Sequence, residues 1–563
     1  MTFKRYVLIA ISCLPGLFAC AQSDTTVAAQ QDSAAIVQAD TLQDLPDFEV
    51  IEDRWRKIKP PPYELNVDGS ILDPYNQNIL KGDYPILGQN TFLVLTATSD
   101  NLLEAARAPT PSGVSALDPG SLEFFGRGER FFASANIKLG IELYQGDVAF
   151  RPRDWELKVT TVFNYNYVKF REHNAVNFNV KKGDHRGVGH VGFQELSVEK
   201  HLFDVSDRYD FVSLKLGIQP FGSDFRRFIF ADYNLGARLL GSFANNRFQY
   251  NLIFLPMLEK ETNSELNTVF DDREQDVLIA NLYIQDFATL GYTTQFSFHY
   301  NHDKPTLHFD ENGFPVRPAV IGNVRPHEIT AYYLGWAGDG HFGRLNISHA
   351  LYYAFGEDDF NSIAGRSIDL SAMMGALELS YDKDWMRFKA SVFWASGDKD
   401  PMDDAGEGFD AILDQPFFAG GPFSYWNGQG IRLQGVGLVQ KQSLLPSLRS
   451  SKIEGQANFV NPGLWLFNLG YDAELTPKFK ALVNVNYLRF AYTSTLENFV
   501  NQPAIGNDIG FDCSLGLIYR PFLNNNSILS LGVSTLLPGE GFEDLYQTTD
   551  MQFAVFTSLV FTY

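Results

Sequence analysis

A strict alternation over Met551–Tyr563, MQFAVFTSLVFTY, constrains this chain more than any other stretch. Met551, Phe553, Val555, Thr557, Leu559, Phe561 and Tyr563 share one face, while Gln552, Ala554, Phe556, Ser558, Val560 and Thr562 share the other. A period of two means a strand, because successive side chains point to opposite sides of the backbone. One face is apolar and the other mixed. A strand of this kind suits a closed sheet with lipid on one side and water on the other.

The opposite end of the chain sets the compartment. Lys4 and Arg5 precede a short apolar stretch, Tyr6 to Phe18, and Ala19-Cys20-Ala21 stands before Gln22. This is the pattern of a secretory signal peptide over 1–21, too short for a membrane-spanning helix. Leu17-Phe18-Ala19-Cys20 also reads as a lipobox, which would leave Cys20 as a lipidated terminus instead. With Cys13 and Cys20 in or beside the signal, Cys513 stands alone in the mature body, so neither an internal disulfide nor a paired-cysteine zinc site is expected. Residues 22–62 are rich in Gln, Asp, Ala and Thr, lack periodicity and end in Pro60-Pro61-Pro62, as a disordered acidic periplasmic leader would. Residues 63–90 follow as an N-terminal periplasmic or plug segment, and 91–563 as the barrel.

With 563 residues the chain could make several soluble domains or one large barrel. Composition favours the barrel: 48 Phe, 25 Tyr and 46 Gly stand beside 3 Cys. The net charge of −22 excludes nucleic acid as a partner, since phosphate binding needs a basic surface.

Alternating runs recur in pairs joined by short turns. The runs are 92–98, 131–144, 155–170, 191–202, 210–219, 235–243, 248–255, 277–284, 291–301, 328–336, 343–356, 367–381, 385–396, 464–475, 478–492, 509–520, 528–537 and 551–563. Eighteen strands result, with sixteen as the alternative. Asp382-Lys383-Asp384, Thr476-Pro477, Ala244-Asn245-Asn246 and Leu523-Asn524-Asn525-Asn526 are turn sequences within pairs. Longer polar segments, roughly 100–130, 171–189, 220–233, 257–275, 302–326, 357–366, 397–450, 493–508 and 538–549, separate the pairs. Short turns on one side and long loops on the other predict an all-β transmembrane antiparallel barrel with periplasmic turns and extracellular loops.

The strand from Trp155 shows which face holds charge. Trp155, Leu157, Val159, Phe163, Tyr165 and Tyr167 share one side; Glu156, Lys158, Asn164 and Asn166 share the other. A base at the bilayer midplane costs about 2–4 kcal/mol, so the second face points inward. The same parity places Lys138, Lys215, Arg238, Arg344, Arg387, Lys389 and Lys480 in the lumen, with Glu142, Glu156, Glu195 and Glu199 as inward acids. An excess of inward bases predicts a pore favouring anionic or polar solutes; cross-strand ion pairs that only brace the wall are the structural alternative. Trp155, Tyr167, Tyr292, Tyr300, Trp336, Trp385, Trp394, Tyr471, Tyr487 and Tyr563 fall near strand ends, where interfacial girdles form.

Two loops stand out. In 397–430, Asp398, Asp400, Asp403, Asp404, Glu407, Asp410 and Asp414 crowd the first half. Such carboxylates suit calcium, with Asp398, Asp400, Asp403 and Asp404 as candidate ligands, although the spacing is not that of an EF-hand and a solvated acidic loop is the plainer reading. The second half, Phe417 to Trp426, is too apolar for water and is expected to fold into the pore or to stack on a sugar ring.

The other segment runs from Leu216-Gly217-Ile218-Gln219-Pro220 through Asp224-Phe225-Arg226-Arg227 to Leu235-Gly236-Ala237-Arg238. It resembles the corresponding stretch of the alginate-export-like porins. That resemblance implies an eighteen-stranded barrel with a basic lumen, in which Arg226, Arg227 and Arg238 face an anionic solute. The strand ending in Tyr563 likewise resembles those of bacterial outer-membrane barrels, whose final aromatic residue is read by the barrel-assembly machinery.

Local enzyme motifs are missing: no Gly-x-Ser-x-Gly, His-Glu-x-x-His, P-loop or Gly-x-Gly-x-x-Gly occurs. The sequence therefore reads as a non-enzymatic porin of a Gram-negative outer membrane, set among lipid and lipopolysaccharide, passing small polar or anionic solutes, saccharides among them. A barrel enzyme acting on lipid or polysaccharide, and a structural barrel sheathing a periplasmic partner, are the rival readings.

Overall fold

The computed structural model describes residues 78–107, 128–146, 152–171, 176–429 and 453–563, apart from short gaps at 84, 89, 178, 310–312, 314 and 547. The signal peptide, Cys20, the leader 22–62 and the first part of the 63–90 segment lie outside the described residues. Residues 78–90 turn back on the first strand, where Lys81 Nζ donates to the carbonyl of Leu95 at 2.6 Å and sits 4.0 Å over the Tyr563 ring.

Eighteen strands among the described residues close into one antiparallel barrel. They are β1 (Thr91–Arg107), β2 (Glu129–Gln145), β3 (Trp155–Phe170), β4 (His185–Asp204), β5 (Phe211–Gly222), β6 (Ala231–Phe243), β7 (Phe248–Lys260), β8 (Asn267–Ile284) and β9 (Tyr292–Asp303). Then come β10 (Ile329–Phe342), β11 (Leu345–Asn361), β12 (Arg366–Lys383), β13 (Met386–Ala395), β14 (Leu464–Thr476), β15 (Phe479–Phe490), β16 (Asp508–Tyr519), β17 (Ser527–Pro538) and β18 (Gln552–Thr562). Each strand pairs with its sequence neighbour, and β18 returns to β1 in the register Thr98↔Thr562 to Arg107↔Phe553. The cylinder therefore has no free edge, the condition for a sheet to stand in hydrocarbon.

Parity holds along the wall. Ile137, Leu139 and Ile141 on β2, Phe163 and Tyr165 on β3, and Phe467 and Leu469 on β14 are exposed outward. Asn136, Asn164, Asn166, Asn468, Asn484 and Asn486 on the same or neighbouring strands are buried inward. Water would not tolerate such a continuous apolar outer surface, and lipid requires it. The barrel is thus a membrane-spanning one of the outer-membrane kind. No helix among the described residues is long and apolar enough to cross a membrane.

Short turns follow the even-numbered strands. Ala244, Asn245 and Asn246 all take positive φ between β6 and β7, and Asp210 accepts the N–H groups of Asn245 (2.9 Å) and Asn246 (2.7 Å) to hold that turn. Asn tolerates the left-handed region better than most residues, which is why it recurs at such turns. Several strands run further than their alternation predicts. The 257–275 stretch, read as loop, is mostly strand: β7 reaches Lys260 and β8 begins at Asn267. Above the bilayer both faces of the wall meet polar surroundings, so alternation fades while the hydrogen-bonded ladder continues.

The packed core lies inside the cylinder, on the long-loop side. Phe228, Ile229 and Phe230 from the β5–β6 loop meet Phe409, Phe418, Tyr425 and Trp426 from the β13–β14 loop, all at 3% exposure or less. Two short helices, α2 (Ser494–Val500) and α3 (Glu540–Tyr546), add Leu496, Phe542 and Leu545 from neighbouring loops.

Candidate functional site

The lumen has two unlike storeys. Toward the short turns, charged side chains form ladders on two walls. On one wall, Lys138 lies 3.6 Å from Asp100, and Lys158 lies 3.1 Å from Glu195 and 3.8 Å from Glu142. Arg153 bridges Glu142 and Glu156, while Lys215 reaches Glu199 at 3.4 Å and Glu156 at 3.8 Å. Arg238 donates twice to Asn251 Oδ1, at 2.8 and 2.5 Å, and lies 5.1 Å from the Phe221 ring centre. On the other wall, Lys389 meets Asp472 at 2.8 Å, and Lys480 meets Asp472 at 3.7 Å and Glu474 at 3.5 Å. Arg387 pairs with Asp382 at 2.5 Å near the mouth.

Lys138, Lys158, Lys215, Arg238, Arg387, Lys389 and Lys480 thus sit on the inward face that parity predicts. Arg344 does not: it lies in the two-residue turn between β10 and β11 and is exposed. A turn residue belongs to neither face, so parity says nothing about it. Counting charge from a few strands also left out acids. Asp100, Glu104, Glu378, Asp472 and Asp512 face inward as well, each following the parity of its own strand. Among the described residues these inward bases, Arg238 excepted, are consequently matched by carboxylates at close range, so no bare positive stripe runs along the described wall.

Arg226 and Arg227 come from the loop between β5 and β6, which folds inward. Asp224 organises it: its carboxylate accepts the N–H groups of Arg226 (2.9 Å), Phe228 (3.0 Å) and Ile229 (3.3 Å). Arg227 takes positive φ, 62°, at the apex. Asn281 and Gln295 donate side-chain amides to the carbonyl of Ser223, at 2.9 and 2.5 Å. So positioned, Arg226 reaches the far strands, donating to Glu378 Oε1 at 2.8 Å and Ser348 Oγ at 2.9 Å, with Asp339 3.9 Å away. The Arg226 guanidinium thus links the inward loop to partners on β11 and β12.

The β13–β14 loop lies along that first loop. Leu413 N donates to Ile229 O at 3.0 Å, Gln415 N to Arg227 O at 3.1 Å and Phe417 N to Arg226 O at 3.0 Å. Its aromatic half then makes a single helical turn, α1 (Tyr425–Gly428), whose leading N–H groups at Tyr425 and Trp426 both reach the Asp512 carboxylate at 3.1 Å. Phe423 packs flat on β16 at Gly516, where an added Cβ would come within 2.4 Å of the ring. The apolar half therefore enters the pore, as its composition predicts, except that Phe417 stays exposed.

The acidic half departs from a solvated loop, because Asp398, Asp410 and Asp414 are buried. Asp398 accepts N–H groups from Asp400 (2.9 Å) and Glu407 (3.3 Å); Asp400 accepts from Met402 (3.2 Å) and Asp403 from Ala405 (2.9 Å). These are Asx-type turns, in which carboxylates replace backbone acceptors. Burial, with Asp403 and Glu407 nearby, pushes the Asp398 carboxyl up to about 7. Asp398, Asp400, Asp403 and Asp404 do not converge on one point; among the described residues the group that does is His327, Asp358 and Asp359.

No protein-family model matches this sequence, and no curated protein matches it. Among solved structures, the fold is similar to Pseudomonas aeruginosa OccK9 (OpdG), with TM-score 0.46 at 11% identity over 84% of this chain and 98% of the other. It is also similar to a BenF-like porin from Pseudomonas fluorescens Pf-5, with TM-score 0.45 at 9% identity over 84% and 98%. A third is Pseudomonas aeruginosa OccK5 (OpdH), with TM-score 0.43 at 12% identity over 83% and 98%.

Proposed function

We propose that this barrel is a non-enzymatic porin of a Gram-negative outer membrane, passing small polar solutes with a preference for anionic ones, and that Arg226 is the residue that meets them. The carrying observation is the guanidinium of Arg226, held across the lumen at 2.8 Å from Glu378. Ladders of paired charge below it keep the wall wet and smooth its potential, as a conduit for polar solutes requires. From the resemblance to alginate-export-like porins, only an anionic solute facing Arg226, Arg227 and Arg238 carries over to this reading. Assembly through the aromatic end at Tyr563 belongs to the same reading.

A second reading draws on a different observation. The buried apolar packing of Phe228, Phe409, Phe418 and Trp426 narrows the upper lumen, which favours a barrel sealed at rest. Planar-bilayer recording separates the two. A porin gives steady ohmic conductance and, in a salt gradient, a reversal potential of anion-selective sign. A sealed barrel gives neither, and cation selectivity would overturn the anionic preference.

A further inference from the structure

We propose that His327, Asp358 and Asp359 hold a divalent transition-metal ion of the Zn²⁺ or Mn²⁺ class at the rim on the long-loop side. The strand ladder brings them together. Ile329 stands opposite Asp358 in the β10–β11 register, and Asp359 N donates to Glu328 O at 3.0 Å. His327, two residues before Ile329, therefore meets the end of β11, with Nδ1 2.6 Å from Asp358 Oδ1.

One ligand atom from each residue lies within 4.8 Å of the other two. An ion would displace the proton between His327 Nδ1 and Asp358 Oδ1 and, with side-chain rotation, draw the set to the roughly 2.0–2.2 Å that imidazole and carboxylate ligands take around zinc. One nitrogen with two carboxylates suits zinc or manganese better than calcium, which prefers oxygen throughout. His327 and Asp358 are buried while Asp359 is exposed, giving fixed ligands and an entry path. The carboxylates are already oriented: Glu328 N donates to Asp359 Oδ1 at 2.7 Å, and Asn361 Nδ2 to Asp358 Oδ2 at 3.4 Å. Ligands steered by such partners are the rule at metal sites. His327 and Asp358 also line a cavity of about 40 Å³ with Asn361 and Gln456. One water needs about 10–15 Å³ on that measure, so an ion can keep water in its remaining positions.

The test is calorimetric titration of zinc, manganese and calcium chlorides into chelator-stripped full-length barrel in detergent. One equivalent of Zn²⁺ or Mn²⁺ should bind, more tightly than Ca²⁺. Affinity should fall at least about tenfold in H327Q and D359N, in line with the loss of one ligand, and stay unchanged in H349Q. Asp359 is exposed, so D359N keeps the fold, which heat-modifiable gel mobility verifies. Cobalt substitution gives a second readout, a ligand-field absorption band in the wild type that H327Q shifts. Equal binding in wild type and H327Q, no saturable binding, or preference for Ca²⁺ overturns the proposal. None of these outcomes depends on the barrel conducting.

Discussion

The lower and upper storeys of the lumen are built on opposite physics. Below, polar side chains on rigid strands face each other as ion pairs such as Lys389–Asp472 and Lys158–Glu195. Above, the β5–β6 and β13–β14 loops fill the cylinder with aromatic residues that a water-soluble protein would use as its core. The wall fixes the lower storey residue by residue. The upper storey depends on loops that must find each other across long sequence distances. One is a lining and the other, on the second reading proposed above, a stopper, and mutations should separate them.

The largest effect is expected from W426A. Trp426 is fully buried and its indole Nε1 donates to the Ala419 carbonyl at 3.1 Å. Truncating a buried Trp costs about 3–5 kcal/mol of local packing. Because strand pairing is untouched, the loss should appear as loosened loops: larger and noisier conductance, with the folded band retained on gels. Unchanged single-channel current would show that the stopper does not limit flow.

Next comes E378Q, which removes the nearer of two acids from Arg226 and leaves Asp339 at 3.9 Å. The pair is partly screened, with side chains 22% and 11% exposed, so the effect falls below the about 3–5 kcal/mol of a fully buried pair. The reversal potential should move toward stronger anion selectivity, and R226Q should move it the other way. K389Q in the lower storey is expected to do less, since Lys480 also faces Asp472.

Proton linkage tests the loop that carries the stopper. The Asp398 carboxyl titrates near 7 in the folded chain against an ordinary value of 3.8. A raised folded value means the folded state binds the proton more tightly, so its stabilising contribution is complete below pH 4 and is lost as pH rises through 7. Protease resistance of the 397–430 loop should therefore fall between about pH 4 and 7, and D398N should flatten that dependence. The smallest change is expected from D550N. The Arg107–Asp550 pair is surface exposed at 30% and 57%, and breaking it should shift thermal stability by at most about 0.5 kcal/mol.

The wall was far more legible in the sequence than the stopper. β3 begins at Trp155 and ends at Phe170, as its alternation predicts, because lipid and water sort neighbouring residues onto opposite faces. The same rule, applied to fewer strands than carry it, missed Asp472 and Glu378 and left Arg344 misplaced. The strand portion Asn267–Asp276 was unreadable for another reason: beyond the bilayer no solvent contrast imposes a period. Contacts such as Arg226–Glu378 and Thr262–Glu454 link residues far apart in sequence and leave no local spacing to find. The apolar run from Phe417 to Trp426 did reveal that it must be buried, but not that Asp512 would hold its helical turn.

The closure of β18 onto β1 also limits how such a channel can diversify. Strand number and stagger together set the girth of a closed sheet, so bore changes in discrete steps of one or the other and not continuously. Fine adjustment of what passes must come from what hangs inside the ring. The two inward loops, which pack on each other, must then change together while the hoop around them stays one size.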